Sequence, residues 1–353
     1  MKIAVYCPSL NEQQNAVAWA ASCADADYRV VIDTGSTDQT KQLLMDQGVT
    51  VYDVLISPWR FDDAYNVAMS LVPADADVLI CLHMDERLDT GWRRHLESAW
   101  TEQTTRLRYT YIWNWNSDGS PGRQWLGDRI HARRGYRWMG ATHEGLCSRL
   151  PEHQSTCAEL RILHYPENKH KSGDLALLEE AVREAPHDSR IRAYLGREYM
   201  YKGMHEQSLA TYREFLTMPS WNVERGLAMQ HLAVVDPSNK IYWLKSACME
   251  TPQHREPRVA LSRHYYSTAE WSESLKYAQQ ALDITVHPMD YSCTEESWGW
   301  MPHDLAAIAS WNLGLRKEAL AHARAALEFD KTDQRLQNNV KLIEQWFVTN
   351  EVS

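Results

Sequence analysis

The chain has 353 residues, 44% hydrophobic and 24% charged, a composition that builds sizeable cores and excludes a disordered or collagen-like polymer. A net charge of −10 excludes bulk electrostatic attraction to nucleic acid or an anionic membrane, although a local basic cleft stays compatible with it. Seven scattered cysteines without C-x-x-C spacing exclude a disulfide framework and a zinc knuckle.

The N-terminus MKIAVYCPSL is too short and too weakly basic for a signal peptide, and no run of about 18 apolar residues occurs, so a cytoplasmic protein without membrane insertion is expected. In chain order, KIAVYCPSL is a short apolar run ending in proline and asparagine, and NEQQNAVAWAASCA has helical spacing at Val17, Ala20 and Ala21. YRVVIDTGSTDQT is a β-branched run that breaks into a Gly/Ser/Thr turn, and TDQTKQLLMDQG is helical up to Gly48. VTVYDVLIS then reads as a strand, FDDAYNVAMSLV as a helix and ADVLICLHM as a buried strand. This βαβαβ order predicts a parallel sheet with helices on its faces. Ligands of such sheets gather beyond the carboxyl ends of the strands, and polar residues collect at three of them: Pro8 to Glu12, Asp33 to Asp38 and His83 to Glu86.

From about residue 174 the texture is helical. YLGREYMYKGMHEQSLATYREFL, IYWLKSACMETP, HYYSTAEWSESLKYAQQALDI and WNLGLRKEALAHARAALEFD each place a leucine at a comparable point of a second helix: Leu209, Leu244, Leu275 and Leu320. The separations are 35, 31 and 45 residues, two near the tetratricopeptide period of about 34 and one lengthened by the insertion TVHPMDYSCTEESWGWMP. Gly203 between helices and small residues such as Ala278 and Ala281 favour helical-hairpin repeats over a generic bundle. The expected fold class is α/β plus all-α, with a sheet domain over 1–165 and a helical tetratricopeptide-like domain over 166–353.

VVIDTGSTDQT has the most restrictive order of residues. Gly35 permits a tight turn, and Ser36, Thr37 and Asp38 can cap the next helix. Capping does not account for Asp33 at the strand tip, where an acidic acceptor suits a base N–H or a ribose hydroxyl. Neither G-x-x-x-x-G-K-[ST] nor G-x-G-x-x-G is present, which disfavours a P-loop or a dinucleotide fold.

CPSLNE at 7–12, VIDTGSTDQT at 31–40, FDDAYNVAM at 61–69, LHMDERL at 82–88 and HARRGYRWMGATHEGL at 131–146 occur in the order found in family-2-like glycosyltransferases of the GT-A fold. The chain resembles the bacterial subgroup with C-terminal tetratricopeptide repeats, and ILHYPENK at 162–169 is similar to its domain junction. The resemblance covers nearly the whole chain. It implies a GT-A domain with a mixed, mainly parallel sheet and a nucleotide-sugar donor, a UDP-sugar first. It also implies that Pro8, Asn11 and Glu12 lie beside the nucleoside, that Asp33 contacts the base with Ser36 close by, and that Asn66, His83 and Met84 flank the donor cleft. Where the family pattern has Arg-Asn, this chain has Tyr65-Asn66, and Arg60 is a substitute for the phosphate contact. Where the pattern has an Asp-x-Asp pair, the chain reads His83-Met84-Asp85 and keeps one carboxylate, Asp85, for a divalent cation, Mn²⁺ or Mg²⁺. A histidine in the set suits Mn²⁺ better. His143 in GATHEGL resembles the histidine that completes the metal site, and His164 in LHYP is a second candidate.

The implied reaction is inverting glycosyl transfer, in which a cation stabilises the departing nucleoside diphosphate and a carboxylate takes the acceptor's proton. Glu144 is the first candidate for that base, Asp128 the second and Glu86 the third. Residues 106–138 hold seven arginines against two acids, interleaved with tyrosines and tryptophans, and alternate like two hairpin strands around Asp118-Gly119. Aromatic faces suit sugars or bases and arginines suit phosphates, so Trp113, Trp115, Arg133, Arg134 and Trp138 are expected toward the acceptor. Repeat solenoids bind extended chains, which favours a protein or peptide acceptor; a modified base in DNA and a surface saccharide are the alternatives. A reading of another class is a non-catalytic repeat scaffold whose sheet domain has decayed, in line with the departures at Tyr65 and His83.

Overall fold

The computed structural model describes residues 1–116, 118–166, 174–288 and 290–350. The chain divides into two compact units, Met1–Ile191 and Arg192–Ser353.

In the first unit the continuous apolar runs become β1 (Ile3–Ser9), β2 (Tyr28–Asp33), β3 (Thr50–Asp53) and β4 (Val78–Cys81), separated by α1 (Gln13–Ser22), α2 (Thr40–Asp46) and α3 (Phe61–Ser70). Next come β5 (Glu86–Leu88), α4 (Trp92–Ala99), β6 (Arg106–Ile112), β7 (Gln124–Ala132), β8 (Tyr136–Met139), β9 (Gly145–Ser148), β10 (Gln154–His164) and α5 (Asp174–Glu184). The main sheet has the order β3-β2-β1-β4-β7-β6-β10-β5, and β8 and β9 form a separate antiparallel ribbon. β1 to β4 are mutually parallel, whereas β7 runs antiparallel to both β4 and β6.

β1, β2 and β4 are largely buried on both faces, which is why they read as unbroken apolar runs, whereas β3 at the sheet edge is mostly exposed. Along β1, Ile3, Val5 and Cys7 join Trp19, Leu44 and Leu96 on one side, while Ala4 and Tyr6 join Ala64, Ala68 and Trp138 on the other. The alternation follows from the two-residue period of a strand. The ribbon expected around Asp118-Gly119 is present as β6 and β7, with Tyr111 opposite Trp125 and Gly119 at φ 80°. Gly127 is required there, since a Cβ would lie 2.6 Å from the Tyr109 ring.

α6 (Ser189–Tyr201) leads into the second unit, which continues through α7 (His205–Leu216), α8 (Asn222–Val235), α9 (Lys240–Glu250), α10 (Glu256–Ser267), α11 (Trp271–Leu282), α12 (Glu295–Trp298), α13 (Met301–Asn312), α14 (Arg316–Phe329) and α15 (Gln334–Asn350). It is a helical repeat region. Leu209, Leu244, Leu275 and Leu320 fall on α7, α9, α11 and α14, the second helices of successive pairs. The turns before α7, α11 and α14 each use a left-handed residue, Gly203, Ala269 and Gly314 at φ 73°, 57° and 79°. Small buried residues let helices cross closely: Ser208 Oγ donates to Gly196 O at 2.8 Å, and Ser262 Oγ donates to Ser274 O at 2.8 Å. Among the described residues, no helix is long and apolar enough to cross a membrane.

Candidate active site

The turn after β4 is fixed by hydrogen bonds from several directions. Trp19 Nε1 donates to Leu82 O at 3.0 Å, the His83 backbone N–H donates to Glu86 Oε2 at 2.8 Å, and Arg87 donates to the Met84 and Glu86 carbonyls at 2.6 and 2.7 Å. The turn brings His83, Asp85 and Glu86 to a cavity of about 630 Å³. Met84 instead enters the core, 4% exposed, so the donor contact expected of it gives way to packing.

His83, Asp85 and Glu86 each bring a ligand-capable atom within 4.8 Å of the others, yet their environments differ. Glu86 is fully buried and saturated: Oε1 accepts from Tyr111 Oη at 2.7 Å and Arg129 Nη2 at 2.5 Å, and Oε2 holds the turn. Burial works against its charge, but the Arg129 guanidinium outweighs it and lowers the pKa. Glu86 is therefore a structural counter-ion, and its expected place among the proton acceptors gives way to that role. His83 Nε2 faces Arg129 Nη1 at 2.7 Å and Tyr65 Oη at 2.9 Å, which assigns the ring proton to Nδ1. Burial pulls its pKa down to about 4, and the ring stays neutral at pH 7. Tyr65 and His83 thus touch each other.

Asp85 faces the cavity with a side chain 36% exposed, and its Oδ2 lies 3.3 Å from His164 Nε2. His164 Nδ1 donates to Trp113 O at 2.9 Å while its ring stacks on Trp113 with centroids 4.4 Å apart. That hydrogen bond puts a proton on Nδ1 and turns Nε2 toward Asp85, to which Nε2 donates as the imidazolium and presents a lone pair when the ring is neutral. Burial opposes ionisation of Asp85, but the hydrogen bond to His164 prevails and lowers its pKa to about 2. His164 is raised in turn, the Asp85 hydrogen bond overcoming its own burial.

The β8–β9 loop closes another wall with His143 and Glu144. It is tied to the start of α3, where Gly140 N donates to Asp62 Oδ2 at 3.0 Å and Phe61 N to Ala141 O at 2.9 Å. Gly140 sits at φ 108° and His143 at φ 49°, the latter an uncommon backbone state for a non-glycine residue. Burial pushes the Glu144 pKa up to about 7. Asp128 borders the same cavity but pairs with Arg106 at 2.9 Å. Trp113, Trp125, Tyr111 and Trp138 complete an aromatic lining.

At the neighbouring strand ends, Asp33 Oδ2 accepts from Gly35 N and Ser36 N at 3.2 and 2.9 Å, whereas Oδ1 is buried without a partner. Ser9 Oγ, on the residue paired with Asp33 across β1 and β2, is likewise buried and unpartnered. β2 lies two strand spacings from β4, about 10 Å.

Other expected contacts are engaged elsewhere. Arg60, expected at a phosphate, is paired here with Asp62 at 3.2 Å and Glu184 at 2.7 Å. Asn66 pairs both amide atoms with the Trp138 backbone at 2.9 and 3.0 Å, so it anchors β8 rather than a donor. Asn11 Oδ1 accepts from Thr37 N at 2.8 Å and its backbone N–H donates to Ser36 Oγ at 2.9 Å, bracing the turn after β2; Glu12 N donates to Thr40 Oγ1 at 2.7 Å beside half-buried Pro8. Trp115 donates to His164 O at 3.2 Å and supports the end of β10, while Trp138 donates to Tyr6 Oη at 2.8 Å. Arg133 and Arg134 follow β7 at the end where Ala132 pairs with Val78, the opposite end of β4 from His83. The antiparallel run of β7 thus separates them from the cavity residues that follow β4. Arg129 and Ser9 were not singled out by the sequence; in β7 the two-residue spacing of Trp125, Gly127 and Arg129 was the available signal.

No family model and no curated protein matches the chain. Among solved structures, MamA is similar at 17% identity over 46% of this chain and 90% of that one, with a TM-score of 0.37. A thermophilic TPR protein from Thermus thermophilus is similar at 18% identity over 48% and 89%, with a TM-score of 0.33. YrrB, a TPR protein with an unusual peptide-binding site, is similar at 15% identity over 47% and 81%, with a TM-score of 0.35.

Proposed function

We propose that the first unit transfers a glycosyl group from a nucleotide-sugar donor, a UDP-sugar first, to an acceptor oxygen with a divalent cation. The observation that carries this reading is one cavity lined by Asp85, the tautomer-fixed His164, His143 and a Glu144 with a pKa of about 7. A carboxylate oxygen together with imidazole nitrogens fits Mn²⁺ better than Mg²⁺. When bound, the cation would offset charge on the departing diphosphate.

Asp85 and His164 would hold it, with His143 on the same cavity. Glu144 would take the acceptor's proton as its oxygen bonds to the anomeric carbon and the diphosphate leaves with the electron pair; a pKa near the working pH suits that task. The unpartnered Asp33 Oδ1 and Ser9 Oγ would accept and donate to the nucleoside. The GT-A reading rests on this arrangement and on the motif order, and the tetratricopeptide reading on the repeat geometry of the second unit. Because Arg133 and Arg134 lie at the far end of β4, a polypeptide acceptor is favoured over nucleic acid.

Thermal shift against a panel of nucleotide sugars, with and without Mn²⁺, tests this reading, followed by hydrolysis assays on the best donor. A donor-dependent rise in Tm that requires Mn²⁺, with slow hydrolysis, is expected. Neither response to any donor would leave the non-catalytic scaffold as the better account.

A further inference from the structure

A second cluster of ligand-type side chains lies in the second unit, in chemistry the first does not share. The connection between α9 and α10 carries His254, and the insertion between α11 and α12 carries Asp290 and Cys293. One ligand-capable atom from each lies within 4.8 Å of the other two. His254 is 2% exposed and Cys293 4%, so the cluster is interior rather than a surface coincidence.

The backbone around it is held by neighbouring side chains and by the second oxygen of Asp290. Arg255 Nε and Nη2 donate to Ile284 O at 2.9 and 2.7 Å, Thr294 N donates to Glu256 Oε1 at 2.8 Å, and Asp290 Oδ1 caps its own loop through Ser292 N at 3.0 Å. His254 Nε2 meets Asp290 Oδ2 at 2.8 Å. His254 Nδ1, on the ring edge away from Asp290, is buried without a hydrogen-bond partner. Glu256 is 7% exposed and close enough to His254 to feel its charge. The Cys293 thiol, 3.3 Å from Pro288 O, also lies 3.9 Å from Asp290 Oδ1, so imidazole and thiol approach the same carboxylate from two separate segments.

We propose that His254, Asp290 and Cys293 form a zinc-class metal site that clips the insertion to the α9–α10 connection. Imidazole, carboxylate and thiolate select a borderline-soft ion over Mg²⁺ or Ca²⁺. Three protein ligands are a familiar zinc complement, with a fourth position for water or for Glu256. The ligands are 36 and 39 positions apart, so the ion would close a long loop and couple the insertion's order to metal content.

Co²⁺ titration of metal-stripped full-length protein reads this site separately from the Asp85 cavity of the first unit, whose described lining holds no cysteine. One equivalent of Co²⁺ is expected to produce thiolate-to-cobalt absorption, displaced by Zn²⁺, lost in Cys293→Ser and retained in Asp85→Ala. His254→Ala and Asp290→Asn are expected to weaken Co²⁺ binding at least 10-fold. Absence of the thiolate band in the unaltered protein, or its persistence in Cys293→Ser, overturns the proposal; the first outcome is independent of whether any variant folds.

Discussion

Two carboxylates at consecutive positions on the turn after β4 occupy opposite environments. Glu86 is buried and saturated by Arg129, Tyr111 and the His83 backbone, whereas Asp85 faces the cavity and meets only His164 through its side chain in the hydrogen bonds at this wall. The first is held to keep the turn in place, and the second is presented by that turn. Charge alone does not mark a functional acid; what matters is whether its lone pairs are already taken.

Breaking the buried side should have the largest effect on folding. Glu86→Ala leaves the Arg129 guanidinium buried without its counter-ion and is expected to cost about 3–5 kcal/mol in urea unfolding. Asp85→Ala, on the exposed side, should change stability by no more than about 1 kcal/mol because its pair is partly solvated and screened. If the two variants destabilise equally, the contrast between the two environments is lost.

Glu144 sharpens the same comparison through pH. As the base, Glu144→Gln should lower kcat by ~10²–10⁴-fold, and the unaltered protein should show an acid limb near pH 7 in kcat/KM. The sign for stability is opposite to that of Asp85. A folded pKa of about 7, above the unfolded carboxyl value, contributes stability that is fully present below that unfolded value and is lost as pH rises through 7. Glu144→Gln should therefore flatten the decline in unfolding free energy between about pH 4.5 and 7.

Smaller effects are expected from single contacts and from residues away from the cavity. His164→Asn should weaken Mn²⁺ binding by roughly 10–100-fold in calorimetric titration, with some loss of apo stability because the ring is buried and stacked on Trp113. Arg133→Gln with Arg134→Gln should leave activity and its salt dependence unaltered, since both residues sit at the opposite end of β4.

β1, β2 and β4 were legible because buried parallel strands are unbroken apolar runs, and the leucine spacing located the second helices of the repeats. Asp85, Glu144 and His164, which line one cavity, could be picked out in the sequence because they fall at strand ends and in a motif-bearing loop. The role of Glu86 was not. It depends on β7 entering the sheet antiparallel between β4 and β6, which brings Arg129 to a residue 43 positions away. The same non-local pairing carried Arg133 and Arg134 away from the cavity, although they are near Arg129 in sequence. Asn66 looked like a cleft residue, but a backbone 72 positions away takes both of its amide atoms. The compact unit runs past residue 165 to Ile191, and the ion pair joining Arg60 to Glu184, 124 positions apart, has no local sequence signal.

The most direct test of the central claim is calorimetric titration of a UDP-sugar into the unaltered protein and Asp85→Ala, each with and without Mn²⁺. The account predicts binding that requires both Mn²⁺ and Asp85. Equal binding without Mn²⁺, or by Asp85→Ala, would contradict it.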